Sequence, residues 1–495
     1  MTSSRMRLQH CNAKTLPLFN PMVSNKHQTF LGLREKFPVF TYKAADIQWH
    51  GQQARVCFHF QAGDEWHFSP VWHMDFGRHR IRNIDKQLDK WWVHQLGMVE
   101  MISYWKAMCP PRIHILPFRL TENQQKWWKK LFRFGLGEMF YTNDIPDPAG
   151  DIFSFSFGDE AVVGSAPRPG GMHNLPEQYL MPVGGGKDSV VGMDILLRSD
   201  KTVIPFVVNP REATDRVLAV AGFTEQFSSV TITRKIDPLL LKLNTLGYLN
   251  GHTPFSAVLA FASAFVADKL GVRHIALSNE SSASEPTIPG TKINHQYSKS
   301  YEFELDFRQY IRDQRDDHLN YFSLLRPMNE LQIAGLFAGL PSYHAAFRSC
   351  NAGSKTDSWC GNCPKCLFTY IVLAVFMSPG ELVAIFGKEL FNDGNLWPIV
   401  RSLAGLDPVK PFECVGTLAE VNAALSHIVS GYHDRGQALP PLLKLFADHR
   451  AKEAYDGPDI RTFLSATDSS HAVPSNLVPV LMDRLAMLSG AFNSH

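Results

Sequence analysis

Two stretches of this 495-residue chain combine residue types and spacings able to do chemistry. The first is Gly184-Gly185-Gly186-Lys187-Asp188-Ser189. Three glycines let the backbone turn through positive φ and bring bare N–H groups up to an anion. Lys187 would neutralise phosphate charge, Ser189 would donate from its hydroxyl, and Asp188 would help place a magnesium ion. Asp in place of Ser or Thr after Lys187 rules out a Walker A loop, and the missing third glycine rules out a dinucleotide fingerprint. The competing reading is a turn with an incidental Lys and Asp. The second stretch holds Cys350, Cys360, Cys363 and Cys366, spaced C-x9-C-x2-C-x2-C. Two overlapping tight pairs and one distant cysteine suit a tetrahedral S4 site, and Gly361 and Pro364 fall within the turns such a knuckle needs. Structural zinc is the expectation. A redox pair, an iron–sulfur cluster and unliganded thiols are the alternatives.

The elements that must position these residues follow from pattern. Residues 178–183 read as a strand, 189–197 as a helix, 202–208 as a second buried strand, 255–270 as a helix and 274–278 as another strand. That alternation predicts a doubly wound parallel sheet with ligands at the carboxyl ends of its strands. The glycine loop sits between a strand and a helix, so the helix N-terminus adds its dipole to the anion site. The region before the link Gly164-Ser165-Ala166-Pro167-Arg168-Pro169-Gly170-Gly171 has a different texture. Residues 55–60 alternate as a strand, Gly63-Asp64 signals a turn, and a second aromatic strand runs through Trp72. Helices are expected over 83–108, stopped by Pro110-Pro111, and over 122–134. Eight of the 10 tryptophans lie here (Trp49, Trp66, Trp72, Trp91, Trp92, Trp105, Trp127 and Trp128) and read as core, with base stacking as the sharper alternative. Beyond residue 385 the chain reads as helical. Three regions result: an aromatic-rich α+β domain over 1–165, an α/β domain over 176–385 and a helical region over 386–495.

Composition narrows the class. Lys+Arg 49 against Asp+Glu 47 leaves a net charge of +2, no electrostatic case for nucleic acid or an anionic membrane. The longest apolar stretches, 255–266 and 367–377, fall short of the roughly 20 residues a bilayer requires and read as buried helices. No secretory pattern follows Met1, and four of the eight cysteines crowd into one cluster, which argues against a disulfide framework. A soluble, cytoplasmic protein is expected, and the sequence gives no oligomeric state.

With its Gly-Gly-Gly-Lys-Asp-Ser loop, the chain resembles the PP-loop (HUP-type) ATP pyrophosphatase superfamily, whose loop reads [Ser/Gly]-Gly-Gly-x-Asp-Ser. The resemblance implies ATP and Mg2+ as cofactors, with Gly184, Gly185, Gly186, Lys187, Asp188 and Ser189 gripping the phosphates that leave as pyrophosphate. It also implies Val208 and Asn209 beside the adenine, and Asn279 and Glu280 at the nucleotide. Four cysteines in this spacing after such a domain are similar to those of the 7-cyano-7-deazaguanine synthases, where they carry structural zinc. Taken whole, with 167–171 and Lys292-Ile293-Asn294-His295-Gln296-Tyr297-Ser298-Lys299-Ser300, the chain resembles the superfamily's epimerases of UDP-N-acetylmuramoyl-L-alanyl-L-glutamate. That resemblance implies a UDP-MurNAc-peptide substrate whose terminal L-Glu is adenylated, inverted and released as D-Glu for peptidoglycan. The acid–base candidates are His295, Tyr297 and Lys292, with His252 a further one, each equally readable as a loop hydrogen-bonder. Lys299 and Arg348 are candidates for substrate carboxylates or phosphates, against ordinary surface charge. The basic runs 78–82 and 126–130 read as solvated faces, with contact to the UDP pyrophosphate as the alternative. The alternatives are a nitrile or amide synthase, a tRNA-modifying thiolase and a nucleotide-binding regulator without catalysis.

Overall fold

The run Gln178-Tyr179-Leu180-Met181-Pro182 has no polar side once Gln178 is passed, as expected of a strand buried on both faces. The computed structural model describes residues 26–82, 85–146, 151–164, 166, 177–225, 228–453 and 455–493. The Pro/Gly stretch 167–171 lies outside the described residues.

Eleven strands form one sheet: β1 (Val39–His50), β2 (Gln53–Ala62), β3 (Trp66–Phe68), β4 (Val71–Asp75), β5 (Arg112–Ile115), β6 (Ser154–Phe157), β7 (Gln178–Pro182), β8 (Thr202–Val208), β9 (Val230–Lys235), β10 (His274–Leu277) and β11 (Asn320–Ser323). Their order is β11-β10-β7-β8-β9-β4-β2-β1-β5-β6, with β3 on β2. The five strands from β7 onward are mutually parallel. β7 is central, β8 and β9 extend to one side, and the chain then crosses back to lay down β10 and β11 on the other. This is doubly wound topology, with its switch point between β7 and β10.

The aromatic strand expected to run through Trp72 is two strands, because Pro70 cannot donate to the ladder and breaks it between β3 and β4. β4 then pairs antiparallel with β9, from Val71 opposite Lys235 to Asp75 opposite Thr231. The change of texture near residue 165 is therefore no break in the sheet. β9 would otherwise be an open edge of the parallel half, and β4 closes it.

Side-chain alternation sends the parallel strands into two cores. Leu180, Ile204, Phe206 and Ile275 face the first, while Tyr179, Met181, Val203, Val207 and Ala276 face the second. The first core contains or packs against all eight early tryptophans. Across it lies the helix Lys86–Trp105, packed on β1, β2 and the helix Phe255–Leu270. Its polar groups are satisfied by partners far along the chain: Trp92 Nε1 donates to Asp268 (2.7 Å), and Glu100 accepts from Trp72 Nε1 (3.1 Å) and Arg234 Nε (2.6 Å). The second core is covered by the helices Lys187–Arg198, Glu330–Ala338 and Pro364–Leu373, and by helices of the last hundred residues such as Leu418–Asp434. Among the described residues, no helix is long and apolar enough to cross a membrane.

Helix Lys86–Trp105 can lie this close to β1 because residue 97 has no side chain. A Cβ on Gly97 would fall 1.8 Å from the hydroxyl of Tyr42, which is fully buried. Gly97→Ala is expected to destabilise the fold by about 1–3 kcal/mol through overpacking. Thermal unfolding reads this directly, and an unchanged melting temperature would contradict this packing.

Candidate active site

The glycine loop leaves the carboxyl end of β7 at the switch point and enters the helix Lys187–Arg198, two residues earlier than the pattern suggested. Val183 N–H, donating to Phe206 O at 2.8 Å, carries the strand to the loop. Gly185 adopts φ +80°, and a Cβ there would lie 2.9 Å from Thr214 N, so backbone conformation and space both require glycine. A Cβ on Gly184 would meet nothing within 4 Å, which leaves that side of the loop open for a ligand. Arg348 N–H holds the loop from the far side by donating to Gly185 O (3.0 Å), and the Ser189 hydroxyl donates to Gly186 O (2.9 Å).

The loop borders a cleft of about 250 Å³, which Gly184, Gly186, Asp188 and Ser189 line from β7 and Asn279 from β10. Arg211, Arg348 and Lys365 add positive charge to its wall. The cleft narrows inward to a small cavity that shares Asp188, Ser349 and Lys365 with it. The deeper wall is Lys187, Glu280, Lys299, Glu330 and Cys414. Lys187 thus faces the inner cavity, ion-paired to both Asp188 and Glu330. Burial alone would lower the Lys187 pKa, but the two carboxylates outweigh it and hold the ammonium charged. Burial would likewise raise Asp188, and Lys187 beside it brings that carboxyl below its ordinary range. Glu330 is raised, chiefly by burial, although Lys187 pulls the other way. Its backbone N–H donates to Glu420 (2.7 Å), at the start of the helix Leu418–Asp434, so the C-terminal region braces the loop lysine.

The other expected nucleotide residues divide. Asn279 lines the cleft and donates to Ser323 Oγ (3.1 Å), while Glu280 is buried at the inner cavity. Val208 ends β8 packed against the first core. Asn209 follows it at φ +54°, bonding to Ile232 O (2.7 Å) through its N–H and accepting from Arg234 N–H (2.8 Å) through its side chain. The cleft is reached instead by Arg211, two residues further on.

The segment 292–300 is pinned by its own backbone and side-chain bonds, including His295 N–H to Thr287 Oγ1 (2.9 Å) and Gln296 N–H to Asn294 Oδ1 (2.7 Å). His295 Nδ1 is hydrogen-bonded to Glu138, and its ring lies 4.2 Å from that of His252, centre to centre. The Cys414 thiol also lies close to His295. Burial opposes charge on His295, yet Cys414 and Glu138 raise its pKa to about 9. Burial, aided by His295, Lys106 and Lys299, lowers His252 to about 3. For Cys414, burial acts upward, and Lys299, Lys365 and His295 overcome it to bring the thiol to about 5. Tyr297 packs its ring against Phe134 and Phe303, near the carboxylates of Asp306 and Glu302. Lys292 opens instead onto a separate cavity of about 950 Å³ shared with Arg133, Phe134 and Tyr141. Lys299 lies on the inner cavity, whereas the Arg348 guanidinium is committed to the carbonyls of Ala345, Phe347 and Asp357. The basic runs are matched by surface acids, Arg78 with Glu225 and Lys129 with Asp151.

The four cysteines of the cluster converge, with every Sγ within 4.8 Å of the others and Cys360 Sγ 3.7 Å from Cys366 Sγ. Zinc bound tetrahedrally at about 2.3 Å places its sulfurs roughly 3.8 Å apart, so the donor set fits that ion. Backbone N–H groups of Gly353 and Cys360 point at Cys350 Sγ (3.0 and 3.4 Å) and that of Cys366 at Cys363 Sγ (3.4 Å), the outer bonds that thiolate ligands use. Cys350 itself lines the cleft, and Lys365 sits between two of the ligands, so the cluster fixes one cleft wall.

Pattern reading missed Glu138, Glu330, Lys365, Glu420 and Cys414. A lone cysteine or carboxylate far along the chain carries no motif, and only the fold brings these to the loop.

Loop, switch point and cysteine-lined wall define a doubly wound α/β protein with a glycine loop at the centre of its sheet. The profile described as the MurL N-terminal domain matches residues 33–324, and that of the MurL C-terminal domain matches 343–455. The chain belongs to the MurL family. It is similar to proteins named UDP-N-acetyl-alpha-D-muramoyl-L-alanyl-L-glutamate epimerase from a Micromonospora species (38% identical, over 67% of this chain and 73% of the relative) and from Salinispora tropica (35%, over 68% and 74%). A third relative of that name, from Xanthomonas oryzae pv. oryzae, is 34% identical over 68% of this chain and 74% of its own length.

Replacing Cys363 by Ser removes one of four converging donors. The purified variant is expected to lose its bound zinc, read by elemental analysis against an equimolar content in the parent. A parent protein purified without zinc, or a variant that keeps it, would refute the ligand set.

Proposed function

We propose that this chain is an ATP-dependent epimerase that converts the terminal L-Glu of UDP-MurNAc-L-Ala-L-Glu to D-Glu through an acyl-adenylate, releasing AMP and pyrophosphate. The printed names of the relatives support the epimerisation and its substrate. The single observation that supports ATP is the glycine loop at the switch point, open on the Gly184 side and followed by a helix N-terminus.

The chemistry explains why an epimerase would spend a nucleotide. A Cα proton beside an ionised carboxylate resists removal, since the carbanion would stand next to a full negative charge. Joining the carboxylate to AMP cancels that charge and lets the acyl carbonyl take up the electrons. In this reading the loop N–H groups and Ser189 hold the phosphates, and Arg211 and Lys365 balance their charge. Asp188 would hold magnesium, whose contribution is to neutralise the departing pyrophosphate. Lys187 orients Asp188 from within. Of the three acid–base candidates, His295 stands next to the inner cavity through Cys414. Tyr297 is packed among aromatic rings, and Lys292, which lines the larger cavity, would meet the sugar nucleotide there. Hydrolysis of the adenylate makes the inversion one-way. The four-cysteine site is assigned structural zinc, and the neutral charge balance supports a small-molecule substrate rather than RNA.

The test is to incubate the protein with ATP, Mg2+ and the UDP-linked L-Ala-L-Glu precursor, then determine glutamate chirality, AMP and pyrophosphate. D-Glu formed with matching AMP is expected; unchanged L-Glu without AMP would reject the function. Pyrophosphate release that needs a deazapurine acid and ammonia would select the synthase reading instead. Asp188→Ala is expected to lower AMP formation by about 100-fold or more, since it removes charge stabilisation at the reacting phosphate. It is expected to lower the melting temperature as well, because Lys187 loses one of its two buried partners.

A further inference from the structure

Cys414 stands apart from the other cysteines. Among the described residues, Cys350, Cys360, Cys363 and Cys366 converge on one another, Cys57 lies beside Arg55, Asp46 and His59 on the N-terminal sheet, and the buried Cys109 thiol bonds to Lys106 O. Cys414 instead lines the inner cavity with Lys299, Lys187 and Asp188. It also lies close to His295, whose Nδ1 is bonded to Glu138. Nothing in packing asks for a thiol facing two lysines. A thiolate is stabilised there, and the same cations would stabilise negative charge developing on a bound acyl group.

The position matters as much as the surroundings. The inner cavity continues the cleft through Asp188, Ser349 and Lys365. The inner cavity itself is small, about 10 Å³ or room for one water. A carboxyl group joined to the α-phosphate beside Asp188 would therefore bring its Cα to the mouth of this cavity, with Cys414 on the wall it faces. Resting on the adenylating-epimerase reading above, we propose that Cys414 is the catalytic base that removes the Cα proton of the glutamyl adenylate.

The Cys414 thiolate takes the proton and becomes a thiol, and the C–H electron pair moves into the acyl carbonyl to give an enolate. Lys299 and Lys365 face the oxygen on which that charge collects. Water delivers a proton to the opposite face of Cα, which inverts the centre, and the thiol returns its proton to water once the product leaves. His295 and Glu138 are positioning residues: Glu138 holds the imidazole, and the imidazole lies close to the sulfur.

The experiment uses full-length, metal-loaded Cys414→Ala and Cys414→Ser in D2O, with ATP, Mg2+ and UDP-MurNAc-L-Ala-L-Glu. Adenylation is read by substrate-dependent pyrophosphate release, and proton removal by deuterium at the glutamyl Cα and by D-Glu. Both variants are expected to release pyrophosphate within about threefold of the parent, while deuterium incorporation and D-Glu fall by at least about 100-fold, the range typical of a lost acid–base group. D-Glu formation within tenfold of the parent in either variant would overturn the assignment. Loss of pyrophosphate release in both variants would overturn it as well, because Cys414 would then serve packing or ATP binding. A parent enzyme that forms D-Glu without pyrophosphate fails the adenylation reading instead, and a parent that does neither fails the function itself.

Discussion

A lysine ammonium only 3% exposed must be matched by carboxylates, and Lys187 is matched by two. One, Asp188, is its neighbour on the same loop; the other, Glu330, comes from a helix packed in the second core. Breaking such a buried pair costs about 3–5 kcal/mol, so the loop is fixed to the helix layer beneath it and not merely to its own strand. Glu330 is in turn held by Glu420 from the C-terminal region. A surface loop of three glycines would be mobile. Anchored in this way, it is preorganised.

Each sequence region adds something the others lack. The N-terminal region supplies Glu138, the parallel half supplies the glycine loop, Glu280, Lys299 and the cysteine cluster, and the C-terminal region supplies Cys414 and Glu420. The sheet makes this possible, because β4 on β9 fuses the N-terminal strands to the parallel half, and helix Gly137–Thr142 carries Glu138 to His295. The four-cysteine cluster does the same for the opposite wall, beside Lys365 and the Arg348-Ser349 backbone.

The elements that could be read from sequence were those whose signal is local. β8 and the helix Phe255–Leu270 fall where their buried runs begin and end, and the glycine loop lies where strand gives way to helix. The cysteines converge as their spacing implies. The pairing of β4 with β9 was not legible, since nothing in Val71–Asp75 names a partner some 160 residues away. At Asn209 the sequence could not show that a left-handed backbone turns the side chain to Arg234 N–H, or that Arg211 lines the cleft. Cys414 had no local signal at all. Its significance lies in what the fold places around it.

The join between β4 and β9 also bears on how the chain is made. During synthesis β4 is complete long before β9 leaves the ribosome, so one edge of the N-terminal sheet must wait unpaired. At translation rates of about 5–20 residues per second the wait is on the order of ten seconds or more. That edge carries Trp72 and Met74, both destined for the first core. The nascent N-terminal half is thus sticky along the line where it will later be sealed. In the cell, chaperone binding to the emerging chain would fall on this seam, and slowed elongation between β4 and β9 would lengthen the exposure.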